Sequence, residues 1–326
     1  MRLVGATLYG LRIPFVEAFS HSATERRWSD SVVVRVRDDA GTEGFGEGTP
    51  RPYVTGETVE TMLQHLGRDL WPRVAGRELP PAGHLAGLAT FVPQTHLPGT
   101  LAPNAAHAAL ELAILDCALR RVSRPMASVL PPCRARVTYS GVVTSGSVER
   151  AVAVLDAVAP LGIAAVEQPL ARGLVEDLAR LRHATPVPVM VDESLVTEAD
   201  ADALIEAKAA DFFNVRVSKC GGLARALAIA ARATAVGVGV QVGSQVGETA
   251  ILAAAGRHLA AALPEVAFVE GSFGTLLLAE DVSIESVRFG HRGEAPLLTG
   301  PGLGIRVVEE RLRRRAIVVE HLPTEG

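Results

Sequence analysis

The 326-residue sequence has few of the features that mark disulfide-rich or membrane-spanning proteins. Its three cysteines, Cys117, Cys133 and Cys220, are odd in number and are not clustered at the spacing of metal ligands. This argues against a disulfide framework or a structural zinc site, and we interpret all three as small buried side chains. No run of eighteen uncharged apolar residues is present, so a membrane span is not expected.

A strong charge of either sign is also missing. The net charge of -4 and the pI near 6.2 provide no basic surface for nucleic acid or for an anionic membrane. The N-terminus has neither a long apolar segment nor a small-residue cleavage site, so a secretory signal is not expected. We therefore expect a cytoplasmic protein whose partner is a small molecule.

Lysine is almost absent, because Lys208 and Lys219 are the only two in the chain and the other long basic side chains are arginine. This scarcity limits the search for a lysine that acts as a base. Arginine is protonated at all ordinary pH values and cannot replace lysine in that role.

The first part of the chain predicts an α+β lobe over residues 1–125. Two β-rich runs flank a turn-forming cluster at 38–42, which indicates an antiparallel hairpin. Residues 56–73 and 104–121 have helical spacing, and Asn104 is predicted as the N-cap of the second helix.

From residue 136 onward short apolar runs alternate with Ala- and Leu-rich segments, which is typical of parallel βα units. The predicted strands are 137–141, 163–168, 187–193, 211–217, 238–243 and 266–271. The predicted helices are 147–160, 174–184, 198–208, 222–236 and 247–262. A further strand is predicted at 283–289, and the tail at 299–304 is expected to pack on the first lobe.

Three segments, AAVEQPL, VMVDESL and FFNVRVSKCGG, lie at the ends of successive predicted strands. In this order and spacing, with SGV after the first strand and PGLG near the end, the chain resembles the muconate-lactonizing branch of the mandelate racemase and muconate lactonizing enzyme family, in the enolase superfamily. The resemblance covers nearly the whole chain. It implies an α/β fold in which an N-terminal α+β capping domain, residues 1–125, precedes a modified TIM-type (β/α)7β barrel, residues 126–326, whose tail returns to the first domain.

The resemblance also implies a magnesium site. Glu167 and Asp192 match two acidic ligands of an essential Mg2+, and Glu193 matches a neighbour that supports them without binding the ion. In the family this ion stabilises the enediolate that forms when a base removes the proton α to a substrate carboxylate. The alternative for Glu167 and Asp192 is an ordinary ion pair or helix cap, but two carboxylates that end apolar strands need a compensating cation.

Three further residues are candidates for catalysis. Arg216 stands where many relatives have a lysine base, so we expect it to act by electrostatics. Lys219 is the only lysine candidate for a base, although on a strand it would face away from Arg216 and have a structural or solvated role. Glu270, at the end of the last predicted barrel strand, could act as an acid, could bind polar groups of the substrate, or could simply form an ion pair.

Four residues of the first lobe match the loops that close over the substrate in the family: Phe19, His21, Arg51 and Tyr53. His21 could equally be a surface residue. The segment around Glu270 lacks the Asp-x-Asp signature of dipeptide epimerases, so dipeptide substrates are not expected. The resemblance also implies a homo-oligomer that acts on a small carboxylate.

The pattern departs from the family at barrel strands two and three. The Lys-x-Lys motif and the first acidic metal ligand, which those strands would carry, are absent from the sequence. An eight-unit barrel needs about 250 residues, whereas residues 136–290 leave room for five or six units. We therefore predict that two βα units are missing.

Three functions remain open at this stage. The first is a Mg2+-dependent cycloisomerase, racemase or dehydratase, and the second is a non-catalytic relative that acts as a binding or scaffold protein. The third, a Rossmann-type nucleotide binder, is disfavoured because Lys219-Cys220-Gly221-Gly222 lacks the glycine spacing of that motif.

Overall fold

The computed structural model describes residues 1–21, 24–79, 85, 87, 91–92, 103–139 and 164–323, and the side chains of residues 19–25 lie outside that description. The strands are β1 Leu3–His21, β2 Thr24–Asp38, β3 Glu43–Gly48, β4 Arg136–Thr138, β5 Val166–Glu167, β6 Val189–Val191, β7 Phe212–Val215, β8 Gly239–Val242, β9 Phe268–Val269, β10 Glu294–Pro296 and β11 Ala316–Pro323. The helices are α1 Val59–Gln64, a π-helical segment His65–Leu70, α2 Trp71–Val74, α3 Asn104–Arg121, α4 Val175–Ala184, α5 Glu198–Glu206, α6 Val217–Cys220, α7 Leu223–Ala235, α8 Ala250–Ala262 and α9 Glu309–Arg315.

The first lobe is an antiparallel sheet in the order β11-β1-β2-β3. The predicted turn at 38–42 is confirmed. The side chain of Asp38 accepts hydrogen bonds from the backbone N–H groups of Ala40 and Thr42, and Gly41 has a φ of 81° that glycine adopts without strain.

Helix α3 is buried along almost its whole length, from Asn104 to Leu119. The predicted N-cap role of Asn104 is wrong, because its amide donates instead to the carbonyls of Val196 and Lys219 at 2.9 and 2.8 Å. The N-terminus of the helix is capped by Glu57, which accepts from two backbone N–H groups at 2.9 Å. This helix therefore joins the first lobe to the second.

The second lobe contains a parallel sheet whose described strands follow chain order, β5-β6-β7-β8-β9. These strands confirm five of the predicted βα strands, each shorter than predicted. Strand β4 differs, because within the described residues it pairs antiparallel with β10. The backbone N–H of Tyr139 continues this pairing by donating to the carbonyl of Gly293 at 3.0 Å.

The predicted strand at 283–289 is wrong, because residues 284–289 form a loop and only Ser283 makes an isolated bridge, to Val307. Carbonyl groups of this loop accept hydrogen bonds from side chains, whereas in a strand they would accept them from the backbone N–H groups of a neighbouring strand. The guanidinium of Arg257 donates to the carbonyls of Val287 and Arg288, and the hydroxyl of Ser283 donates to the carbonyl of Glu285.

The tail returns to the first lobe. Gly302 donates its N–H to the carbonyl of Arg124, Leu303 donates to the side chain of Asp116, and β11 pairs with β1. None of the helices in the described ranges has the length and apolar character needed to cross a membrane. The SGV segment and the predicted helix at 147–160, where missing units would have been joined, lie outside the described residues.

Candidate active site at the carboxyl ends of the parallel strands

Four of the predicted site residues lie at one edge of the parallel sheet. Glu167 ends β5, Asp192 follows β6, Arg216 follows β7 and Glu270 follows β9. Because the strands are parallel and in register, their carboxyl ends open on the same side, as expected for a barrel of this type.

Glu167 is held by two donors from β7 and its end. Its Oε1 accepts from Nδ2 of Asn214 at 2.5 Å and from Nη2 of Arg216 at 3.3 Å. Asn214 is fully buried, and it is not among the site residues predicted from the sequence. Its spacing of two residues from Arg216 was the available signal, because alternate residues of a strand lie on one face.

Asp192 binds two cations. Its Oδ2 lies 2.7 Å from Nη2 of Arg216, and its Oδ1 lies 2.8 Å from Nζ of Lys219. Burial alone would raise the pKa of Asp192, but the charges of Arg216 and Lys219 outweigh burial and hold this pKa below its ordinary value. The carboxylate is therefore ionised in the folded protein.

Lys219 is fully buried, and its ammonium group donates to three acceptors: Oδ1 and the carbonyl of Asp192, and the carbonyl of Asn214. The expectation that Lys219 and Arg216 face opposite sides is wrong. Strand β7 ends at Val215, and the short helix α6 turns Lys219 back toward Asp192. An ammonium group has three N–H donors, so all of them are occupied.

Arg216 lies between the two carboxylates, with 14% of its side chain exposed. Burial alone would lower its pKa, but Asp192 and Glu167, followed by Glu270, outweigh burial and raise it further above the ordinary arginine value. Its Nε is buried and has no hydrogen-bond partner among the described residues. One donor of a permanently charged group is thus uncommitted.

Two more carboxyl groups adjoin this cluster. Burial and the neighbouring Asp192 raise the pKa of Glu193, whose side chain hydrogen-bonds Asp192. Burial also raises the pKa of Glu270 to about 7, although Arg216 acts in the opposite direction. Glu270 is therefore suited to exchanging a proton near neutral pH.

The loop after β5 has an unusual backbone. Gln168 has a φ of 42°, a left-handed conformation that costs energy for a residue other than glycine. Its side-chain carbonyl accepts the N–H groups of Asp192 and Ser194 at 2.8 and 3.2 Å. Gln168 thereby fixes the position of Asp192 relative to Glu167.

Arg51 and Tyr53, two of the predicted substrate-binding residues of the first lobe, differ in how far they are exposed. Arg51 is buried and donates to three main-chain carbonyls, those of Asp30, Pro50 and Val246. Tyr53 is 48% exposed, and its ring lies under the guanidinium of Arg26. The substrate-binding role of both residues remains a prediction.

Phe19 and His21 belong to β1 by their backbone, paired with Arg26 and Thr24. Their side chains lie outside the described part of the chain, so their predicted contact with substrate remains a prediction.

The site does not fit a divalent ion as it is arranged. The space between Glu167 and Asp192 is closed by the guanidinium of Arg216, and Lys219 occupies the other side-chain oxygen of Asp192. Within the described ranges no group of three or more His, Cys, Asp or Glu side chains could hold a metal ion. The predicted Mg2+ therefore rests on the family resemblance alone.

Two family profiles match the chain in succession. The profile described as the mandelate racemase / muconate lactonizing enzyme N-terminal domain matches residues 8–130. The profile described as enolase C-terminal domain-like matches residues 138–311. The two matches together cover both lobes of the structure.

Similar proteins include isomerases of known activity. N-succinyl-L-Arg/Lys racemase of Bacillus cereus is 23% identical over 380 residues, covering 97% of this chain and 98% of the racemase. Muconate cycloisomerase 1 of Rhodococcus opacus is 37% identical over 146 residues, covering 45% of this chain and 39% of that enzyme. The crystal structure of 2-chloromuconate cycloisomerase from Rhodococcus opacus 1CP has a TM-score of 0.84 at 27% identity and covers 98% of this chain and 100% of that one.

Proposed function

Because the chain belongs to the mandelate racemase / muconate lactonizing enzyme family of the enolase superfamily, we propose that it is an isomerase-type enzyme that moves the proton α to the carboxylate of a small acid. Its relatives include racemases, epimerases and cycloisomerases. The observation that carries the proposal is the convergence of Glu167, Asp192, Arg216 and Glu270 at the carboxyl ends of β5 to β9.

In this proposal Arg216 binds the substrate anion and Glu270 moves the proton. Arg216 cannot act as a base, but its permanent positive charge at the carboxyl ends of the strands can stabilise a carboxylate or the oxyanion that develops from it. Glu270, with a pKa of about 7, can accept and return a proton. Lys219 is not assigned as the base, because its three donors hold Asp192 and Asn214 in place.

Magnesium is not used in any step. The family resemblance implies a Mg2+ ion that would stabilise the enediolate when bound, but the residues at the site do not fit such an ion. The proposed roles of Arg216 and Glu270 depend only on side chains of this chain.

Exchange of the α-proton tests the proposal. The purified protein is incubated in D2O with a panel of N-acyl amino acids, muconates and hydroxy acids, and NMR follows replacement of the α-proton by deuterium. We expect exchange with at least one acid, and we expect E270Q to slow it by about 100-fold or more, because one positioned proton-transfer group contributes this much. E265Q, which changes an exposed glutamate before β9, should exchange like the wild type. Equal rates in wild type and E270Q would contradict the role of Glu270.

A second candidate function is a non-catalytic relative that binds a carboxylate. It is favoured by the sequestered Lys219, because the only lysine candidate for a base has no uncommitted donor. Calorimetric binding of an acid from the panel without any exchange in D2O would support this candidate over the enzyme.

A further inference from the structure

The two site carboxylates share one protein cation. Nη2 of Arg216 lies 2.7 Å from Oδ2 of Asp192 and 3.3 Å from Oε1 of Glu167, so a single nitrogen bridges side chains from adjacent strands. We propose that the guanidinium of Arg216 is a built-in replacement for a divalent cation, and that the chain has a latent metal site that only the loss of this side chain would open.

The charge balance of the cluster supports this assignment. Glu167 and Asp192 contribute two negative charges, and Arg216 and Lys219 contribute two positive charges within contact distance. A divalent ion added to this set would lie beside two fixed cations, and its repulsion would be strong where water is excluded. These four side chains are neutral together, so a divalent ion would add positive charge that they do not balance.

Displacement of Arg216 is also unfavourable. Its side chain is 14% exposed and that of Asp192 is 3% exposed, so moving the guanidinium away would leave the charge of Arg216 without its partners and that of Asp192 with Lys219 alone. The guanidinium is tethered to β7 and has a high effective concentration at the carboxylates, against which a free ion must compete. Arginine cannot vacate the site by losing its proton.

Manganese titration of an arginine-deletion variant tests the proposal. Mn2+ is the probe because it prefers oxygen ligands and is detected by electron paramagnetic resonance. We expect R216M to bind one Mn2+ about 100-fold or more tightly than the wild type, since a fixed positive charge has been removed from between two carboxylates. Adding E167Q to R216M should abolish this binding.

R182M is the matched control. Arg182 pairs with Asp211 at 2.7 Å and is also partly buried, but Asp211 directly precedes β7 and thus lies at the opposite end of the sheet. R182M should bind Mn2+ no better than the wild type. An R216M protein that folds but binds no Mn2+ would overturn the proposal.

The wild-type protein gives a test that does not depend on how R216M folds. A saturable one-to-one Mn2+ site in the wild type that E167Q removes would overturn the proposal, and the absence of such a site would support it. These titrations need no substrate and no turnover, so their result is separate from that of the proton-exchange experiment.

Discussion

At the scale of single residues, Lys219 has the most constrained environment in the cluster. It is a fully buried cation whose three N–H donors each have an acceptor, and one acceptor is the carboxylate of Asp192. We expect K219M to lower the free energy of unfolding by about 3–5 kcal/mol, because removing one member of a buried ion pair leaves the other without compensation.

Chemical denaturation measures this loss, and the chain provides its own control. K208M changes the only other lysine, which is exposed, and should alter stability by less than about 0.5 kcal/mol. Similar stability of K219M and K208M would show that Lys219 is not a structural cation.

The identities of the residues in the strand-end cluster could be predicted from the sequence, but the contacts between them could not. The strand-end motifs predict Glu167, Asp192, Arg216 and Glu270 at one edge of a sheet, and the structure brings them there. The bridge between Glu167 and Asp192 could not be predicted, because it depends on where β7 ends and on the turn of α6.

At the scale of secondary-structure elements, β3 and α3 are in unusually close contact. Gly44, Gly46 and Gly48 lie on one face of β3, and a Cβ added at any of them would come within 2.5 Å of a backbone atom of α3. Strand alternation places such residues on one side, so the glycines allow the helix backbone to lie directly on the strand.

Substitution of the central glycine tests this contact. In G46A the new Cβ would lie 2.0 Å from the carbonyl oxygen of Ala109, so we expect a loss of about 3 kcal/mol or more in the free energy of unfolding. G256A is the control, because Gly256 lies in α8 with nothing near its added Cβ. It should be neutral or stabilising by up to about 1 kcal/mol. An unaltered melting temperature in G46A would contradict the close approach.

Most elements could be predicted, and the exceptions have local causes. Periodicity identified α3, α4, α5, α7 and α8 to within a few residues at each end. The segment at 283–289 has the composition of a strand, but its carbonyl groups are bound by the distant side chain of Arg257. Sequence periodicity contains no information about such a tertiary donor.

At the scale of the whole molecule, buried carboxylates of the first lobe cap helices of the second. Glu47 is fully buried in β3 and accepts from the N–H groups of Thr249 and Leu252 and from the Thr249 hydroxyl, at the start of α8. Burial raises the pKa of Glu47 to about 7 despite these donors. The contact between lobes therefore depends on pH.

The sign of this dependence follows from proton linkage. A carboxyl whose pKa rises from 4.5 to about 7 on folding binds its proton more tightly in the folded state, so stability falls as the pH rises between these values. E47Q should weaken that fall by up to about 1.4 kcal/mol per pH unit. Part of the fall should persist in E47Q, because burial raises the pKa of Glu248 to about 8 and this carboxyl is still present in the variant.

Urea denaturation at a series of pH values measures these slopes. E60Q, which changes an exposed glutamate in α1, should retain the wild-type slope. If E47Q and the wild type lose stability in parallel between pH 5 and 7, the buried carboxyl is not the source of the pH dependence.

The predicted absence of two βα units remains a prediction at this scale. The comparison with the Bacillus cereus racemase runs over 380 residues, 54 more than the 326 of this chain, so that alignment contains gaps. The segment where the units would have been joined, 140–163, lies outside the described residues. The domain boundary predicted at residue 125 and the predicted homo-oligomer also remain predictions.

The bridging of Glu167 and Asp192 by Arg216 is tested most directly by a crystal structure grown in millimolar Mn2+, with anomalous scattering data collected at the manganese edge. We predict electron density for the guanidinium between the two carboxylates and no anomalous peak there. An anomalous peak between Glu167 and Asp192, with the side chain of Arg216 turned away, would contradict the assignment.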